Sequence, residues 1–213
     1  VEDNFTFIAI GDPQCTNAKE VGRYTNETIN DIAQTLSSNQ NQGKYMNAYA
    51  MTLGDNVNDT PDMWEKLMAS MEKVQIGAGK YLPIFITIGN HDHNAKESSD
   101  MTAVGNFQKY CGPTDYSFNR GKVHIVSIDN VVCTETDNKS WDYDAGFSKM
   151  QYDWLKADLA AVDNKEDKML ILCCHIPFRD GAKSGGATMN TDKYYAEVLA
   201  LMRDFKEAHI MIG

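Results

Sequence analysis

Phe5 to Ile10, Tyr49 to Leu53, Pro83 to Ile88 and Met169 to Cys174 are short apolar runs; the first three stop abruptly on a glycine followed by polar residues, and the fourth on His175, two residues before Pro177. Runs of five or six apolar residues bounded by turn formers read as buried strands. Between them lie stretches with helical spacing: Val21, Tyr24, Thr28, Ile32 and Leu36; Trp64, Leu67, Met68, Met71 and Val74; Met101, Val104, Phe107 and Tyr110; Met150, Trp154, Leu155 and Leu159; and Tyr195 to Phe205. Strand, polar turn and helix in regular alternation predict an α/β fold with helices outside a largely buried sheet. Ligands in such folds bind at the carboxyl ends of strands. Every unusual polar cluster of this sequence stands at such an end.

Three further segments complete the pattern. Tyr116 to Phe118 and Lys122 to Asp129 predict a hairpin turning at Asn119, Arg120 and Gly121. Asn130 to Gly146 is polar and reads as a long surface loop, and Ile210 to Ile212 as a last strand. With no internal repeat and no Pro/Gly/Ser-rich linker, one domain over residues 1–213 is expected.

Composition narrows the function classes. Thirty acidic residues against twenty basic ones give a formal charge of −10, and the basic residues form no stripe, which disfavours nucleic acid as a stable partner. No stretch approaches eighteen uninterrupted apolar residues, so no membrane span is expected and the protein reads as soluble. Val1 in place of Met reads as a trimmed N-terminus; removal of an export signal is one way to reach it, and the compartment stays open. Five cysteines without CxxC spacing predict free thiols. The oligomeric state is not legible, and Gly11 lacks the partners of a dinucleotide-binding GxGxxG loop.

Four clusters carry candidate chemistry. Asp12 and Gln14 flank Pro13; if the chain stays extended there, both side chains face one point and could share a cation. Gly54-Asp55-Asn56 follows the second strand, with a simple turn as the alternative for Asp55. In Gly89-Asn90-His91-Asp92-His93, adjacent side chains diverge, so Asn90 can face a metal while His91 faces what the metal holds. Asp92 would then fix the tautomer of His91, and His93 reads as solvated loop. His175 closes the buried strand after Cys173 and Cys174, whose side chains must point to opposite faces. Cys15, one residue from Gln14, is a further candidate for contact with the site.

Taken in order, Gly11-Asp12-Pro13-Gln14, Gly54-Asp55-Asn56-Val57-Asn58-Asp59, Gly89-Asn90-His91-Asp92 and His175 resemble the ordered blocks GDxH, GDxxx, GNHD/E and strand-H of the calcineurin-like metallophosphoesterases. The predicted hairpin and the helix holding Gln151, Trp154 and Leu155 fit the same family. The resemblance implies two mixed β-sheets packed face to face with helices outside, a four-layer αββα sandwich. It also implies two divalent metal ions, drawn from Mn, Fe, Zn or Mg. Asp12 and Gln14 would hold the first, Asp55 would bridge both, and Asn90 with His175 would hold the second. His91 would act beside the phosphate as general acid or as a stabiliser of developing charge, with Asp92 orienting it. The implied reaction is hydrolysis of a phosphoester, a monoester foremost, by a metal-bridging hydroxide, with a small molecule or a phosphoprotein as substrate. A phosphodiesterase or nuclease on the same fold is one alternative, and a non-catalytic domain that binds phosphorylated ligands is another.

Two departures bear on these expectations. Gln14 stands where most members of the family have histidine, and a neutral amide suits a harder ion such as Mn²⁺ or Mg²⁺. A final GHxH block is not found after Gly213, so the sequence reads as cut before that block, and this chain is expected to bind metal weakly or not at all. Arg179, just past Pro177, could reach a phosphate or be solvated loop.

Overall fold

The computed structural model describes residues 5–38, 44–45, 47–77, 79–94, 96–97, 99–135, 141–178 and 194–213. Two sheets face each other. In the first, β1 (Phe7–Ile10), β2 (Tyr49–Leu53) and β5 (Ile84–Thr87) run parallel in the order β1-β2-β5. In the second, β11 (Glu207–Met211), β10 (Met169–Cys173) and β7 (Val123–Ser127) are parallel, and β6 (Tyr116–Arg120) pairs antiparallel with β7 at the edge. The last strand therefore begins three residues before the apolar run Ile210 to Ile212 that marks it in the sequence. Its opening residues are exposed, and their polar character hides the strand.

Alternation of side chains across each strand builds three cores. Tyr49, Met51 and Leu53 of β2 meet Ile125 of β7 and Ile171 and Cys173 of β10 between the sheets. Phe85 of β5 stacks on Phe118 of β6 with centroids 4.5 Å apart, and the buried hydroxyls of Thr87 and Ser127 meet at 2.9 Å across the same gap. On the outer face of the first sheet, Val21, Leu67, Met71 and Phe107 join Ile10 and Ile86. On the outer face of the second, Leu155, Leu159, Val198 and Met202 join Leu170 and Leu172. The result is helix, sheet, sheet, helix. As the opposed faces require, Cys173 points into the middle layer and Cys174 into the outer one.

The helices begin where local chemistry satisfies their free N–H groups. Asn17 accepts from Lys19 N and Glu20 N at the start of α1 (Ala18–Arg23), which runs through a π-helical stretch, Tyr24–Ile29, into α2 (Asn30–Ser37). A short 3-10 turn, Pro61–Met63, leads into α3 (Trp64–Met71). Ser148 and Gln151 form a capping box on α6 (Lys149–Ala160). The helix expected through Met101 to Tyr110 is two: α4 (Asp100–Ala103) and α5 (Gly105–Cys111), separated at Val104. The last helix is α7 (Tyr195–Met202). A small hairpin pairs β3 (Gln75–Gly77) with β4 (Lys80–Tyr81).

One expectation needs correcting here. The polar segment Asn130 to Gly146 is not a surface loop but a hairpin, β8 (Val131–Glu135) paired antiparallel with β9 (Trp141–Ala145). Val131, Cys133, Tyr143 and Ala145 join the outer core while Val132 and Asp144 between them do not, so a period of two lay beneath the polar composition. All five cysteines are free. Among the described residues, no helix is long and apolar enough to cross a membrane.

Candidate metal centre

The first three clusters follow β1, β2 and β5 of one sheet, and His175 follows β10 of the other, so the facing sheets bring all four strand ends to one edge. Asp55 is the hub. It is 3% exposed; its Oδ2 accepts from Gln14 Nε2 at 3.1 Å, its Oδ1 accepts from the backbone N–H of His91 at 2.9 Å, and Oδ1 lies 3.3 Å from His175 Nε2. His175 Nδ1 lies 2.9 Å from the carbonyl of Leu53, and its Nε2 lies 3.0 Å from Asn90 Oδ1. Asp12 Oδ1 stands 3.7 Å from His175 Nδ1 on the exposed side.

Backbone geometry produces this convergence. Asp12, Gln14 and Asp55 all have positive φ, at 35°, 43° and 49°, and Asp59 follows at 54°. Four of the six non-glycine residues with positive φ among the described residues thus sit around one point. Such conformations are costly for side-chain-bearing residues and gather at functional sites. The extended path expected through Asp12, Pro13 and Gln14 is not what the chain takes. It turns left-handed on both sides of the proline, and Gln14 N and Cys15 N bond the carbonyls of Asp55 and Asn56, binding the first loop to the second. Glycine is required at Gly54 and Gly89, and a Cβ on Gly213 would likewise strike the Leu53 carbonyl. Gly54 has φ 98°, and a Cβ there would stand 2.5 Å from His175 Nδ1; a Cβ on Gly89 would strike the backbone and carboxylate of Asp55.

Charge follows the geometry. Burial pushes the Asp55 carboxyl up, but the bond and the charge of His175 with the N–H of His91 outweigh it, and the group is held below the usual carboxylate range. Burial acts on His175 in the opposite sense, and Asp55 raises it past the usual imidazole range. Asp12 is raised, first by burial and then by the Asp55 charge, with His175 opposing.

Asp12, Gln14, Asp55, Asn90 and His175 are therefore all brought together. One ligand atom each from Asp12, Asp55 and His175 lies within 4.8 Å of the others. This set fits a divalent cation: with Nδ1–H donating to the Leu53 carbonyl, Nε2 of His175 is fixed toward the side-chain oxygens of Asp55 and Asn90, and a cation would take the place of the Nε2 proton among them. Gln14 approaches through its amide N–H; turned over, the same amide offers Oε1.

Three residues lie elsewhere than expected. Asp92 does not touch His91. Its buried carboxylate accepts from Asn56 N and Val57 N on Oδ1 and from Asn56 Nδ2 and Gly89 N on Oδ2, all at 2.8 to 2.9 Å. His91, a third exposed at the rim, pairs instead through Nδ1 with Asp59 Oδ2 at 2.9 Å, and its Nε2 lies 4.0 Å from Asp55 Oδ2. Asp59 was missed; its signal was the second carboxylate of the Gly54 to Asp59 block. His93 is not solvated: it is 2% exposed and faces away from the centre toward Asp129. Cys15 is fully buried with its side chain in the outer core, and it serves the site only through its backbone N–H. Arg179 lies outside the described residues.

Beside Asp12 a cleft of about 480 Å³ opens, lined among others by Gln14, Thr16, Glu20, Arg23 and Asn58. A family model described as calcineurin-like phosphoesterase matches residues 5–210. No curated protein matches the chain. Among solved structures, a purple acid phosphatase from yellow lupin (Lupinus luteus) seeds is similar, with a TM-score of 0.61 over 97% of this chain at 16% identity. This chain spans 37% of the length of that one, and at such identity the likeness establishes the fold alone.

Proposed function

Because the chain belongs to the calcineurin-like phosphoesterase family, we propose that it is the catalytic domain of a phosphomonoester hydrolase with two divalent cations at the Asp12 centre. The observation that carries this reading is the meeting of Asp55 Oδ1 and Asn90 Oδ1 on His175 Nε2 at 3.3 and 3.0 Å. Asp12 and Gln14 would hold the first ion, Asn90 and His175 the second, and Asp55 both. The amide at Gln14 favours Mn²⁺ or Mg²⁺ for the first position. Divalent ions supply Lewis acidity toward a phosphoryl oxygen and make a nucleophile of water near neutral pH.

The protein's own groups do the rest. Asp55, gripped by the N–H of His91 and by Gln14, keeps its two oxygens aimed at fixed points before any substrate arrives. His91 donates its Nδ1 proton to Asp59, which leaves Nε2 on the side of the centre. As the imidazolium, with Nδ1–H still hydrogen-bonded to Asp59, His91 gives its Nε2 proton to the departing alkoxide and is left neutral, a contribution of about 10²- to 10⁴-fold. The cleft beside Asp12 suits a small phosphoester or a phosphorylated side chain, and the charge of −10 opposes a long polyanion. Because the site draws on both sheets, the described residues act as one domain.

The test is the ratio of kcat/KM for a chromogenic phosphomonoester to that for the matching diester, measured on the full-length protein with Mn²⁺ supplied. A ratio above about ten, or about 1.4 kcal/mol, supports the monoesterase. A preference for the diester reassigns the substrate class, and bound metal without turnover of either ester overturns the enzyme in favour of a binding domain.

A further inference from the structure

The Asn90–Asp92 turn has a second cluster behind it. His93 leaves the turn into the interior, where its Nδ1 lies 2.9 Å from the carbonyl of Gly89 and its Nε2 lies 3.1 Å from Asp129 Oδ2. Cys133 of β8 and Asp100, the first residue of α4, close the group. One ligand atom each from His93, Asp100 and Cys133 lies within 4.8 Å of the others. The backbone N–H of Cys133 donates to Asp100 Oδ1 at 2.7 Å, which fixes this carboxylate beside the thiol and leaves Oδ2 for another bond. Asp129 is held in turn: its N–H donates to Asp115, and its Oδ1 accepts from Val131 N.

This arrangement has the chemistry of a borderline metal. An imidazole whose Nδ1–H is given to a backbone carbonyl is fixed in the tautomer that presents Nε2, the way metal-ligating histidines are held. Nitrogen, sulfur and carboxylate oxygen together form a donor set for zinc. Bonds of roughly 2.0 to 2.3 Å in a tetrahedron separate ligand atoms by roughly 3.5 Å, so donors within 4.8 Å need to close by little more than an ångström.

We propose that His93, Asp100 and Cys133, with Asp129 as the fourth donor, form a structural zinc site distinct from the Asp12 centre. Zinc there displaces the thiol proton of Cys133 and ties β8 and α4 to the turn that carries Asn90 and His91. The site depends on none of the catalytic assignments above.

Cobalt replaces zinc as a spectroscopic probe. In chelator-stripped protein titrated with Co²⁺, a near-ultraviolet sulfur-to-cobalt charge-transfer band is expected to saturate at one ion per chain and to be displaced by Zn²⁺. Among the described residues no cysteine borders the Asp12 centre except the core-facing Cys15, so the band reports the second site. Cys133→Ser, checked for a native circular dichroism spectrum, abolishes the band; His93→Gln weakens Co²⁺ binding about tenfold or more; Asp55→Asn keeps the band. Should Cys133→Ser fail to fold, Zn²⁺ must still slow alkylation of Cys133 in the unaltered protein, read by peptide mass spectrometry. Absence of the band, its persistence in Cys133→Ser, or unchanged alkylation overturns the site.

Discussion

His91 Nδ1 lies 2.9 Å from Asp59 Oδ2, across 32 residues of sequence, and this pair rather than any neighbour of His91 sets the direction of its free nitrogen. Both residues stand at the rim, with a third to a half of each side chain exposed, so the pair does little for the fold.

His91→Ala is therefore expected to lower kcat about 100-fold or more while metal content and the thermal midpoint stay unchanged. Asp59→Asn should lower it less, and the double variant should be no worse than His91→Ala alone, because the two act as one unit. Steady-state kinetics on the three proteins check this. Additive losses would mean that Asp59 acts on the substrate by itself.

Asp92 predicts the opposite pattern. Its carboxylate, pushed up to about 6 by burial against the N–H groups of Val57, Asn56 and Gly89, is what pairs those donors. Asp92→Ala leaves three backbone N–H groups unpaired in the interior and should cost about 3 kcal/mol or more in a urea melt. A loss below about 1 kcal/mol would show that water takes over the donors.

The four strand ends were legible because an apolar run meeting Gly-Asp, Gly-Asn-His or His admits few other readings. What they do there was less so. The positive φ at Gln14 has no sequence signal, and aspartate at position 12 is a weak one that an extended Asp-Pro path masks. His93 was misread because its partners, Asp129 and Cys133, come from about forty residues on, in a hairpin whose polar composition masked its alternation. Asp92 and His91, adjacent in sequence, diverge as neighbours must, and the distant Asp59 took the role that proximity suggested for Asp92.

Asp115 gives a pH dependence. Burial, and then the charge of Asp129, raise it from an ordinary 3.8 to about 7. The folded state thus holds a proton that the unfolded chain has lost, and stability falls as pH rises between those two values. Asp115→Asn keeps an acceptor for Asp129 N without the charge. Its thermal midpoint should gain on that of the unaltered protein from about pH 4 to about pH 7 and run parallel above. A constant gap across this window contradicts the assignment.

Metal dependence is tested most directly by phosphomonoester turnover with Mn²⁺, after chelation and on readdition, in the full-length protein and in its Asp55→Asn variant. Asp55 alone touches Gln14, His91 and His175, so its substitution removes the hub and leaves the 3%-exposed volume unchanged. The account predicts turnover that returns only with the metal and falls at least about 100-fold in Asp55→Asn. Turnover that survives chelation, or that Asp55→Asn leaves intact, would contradict it.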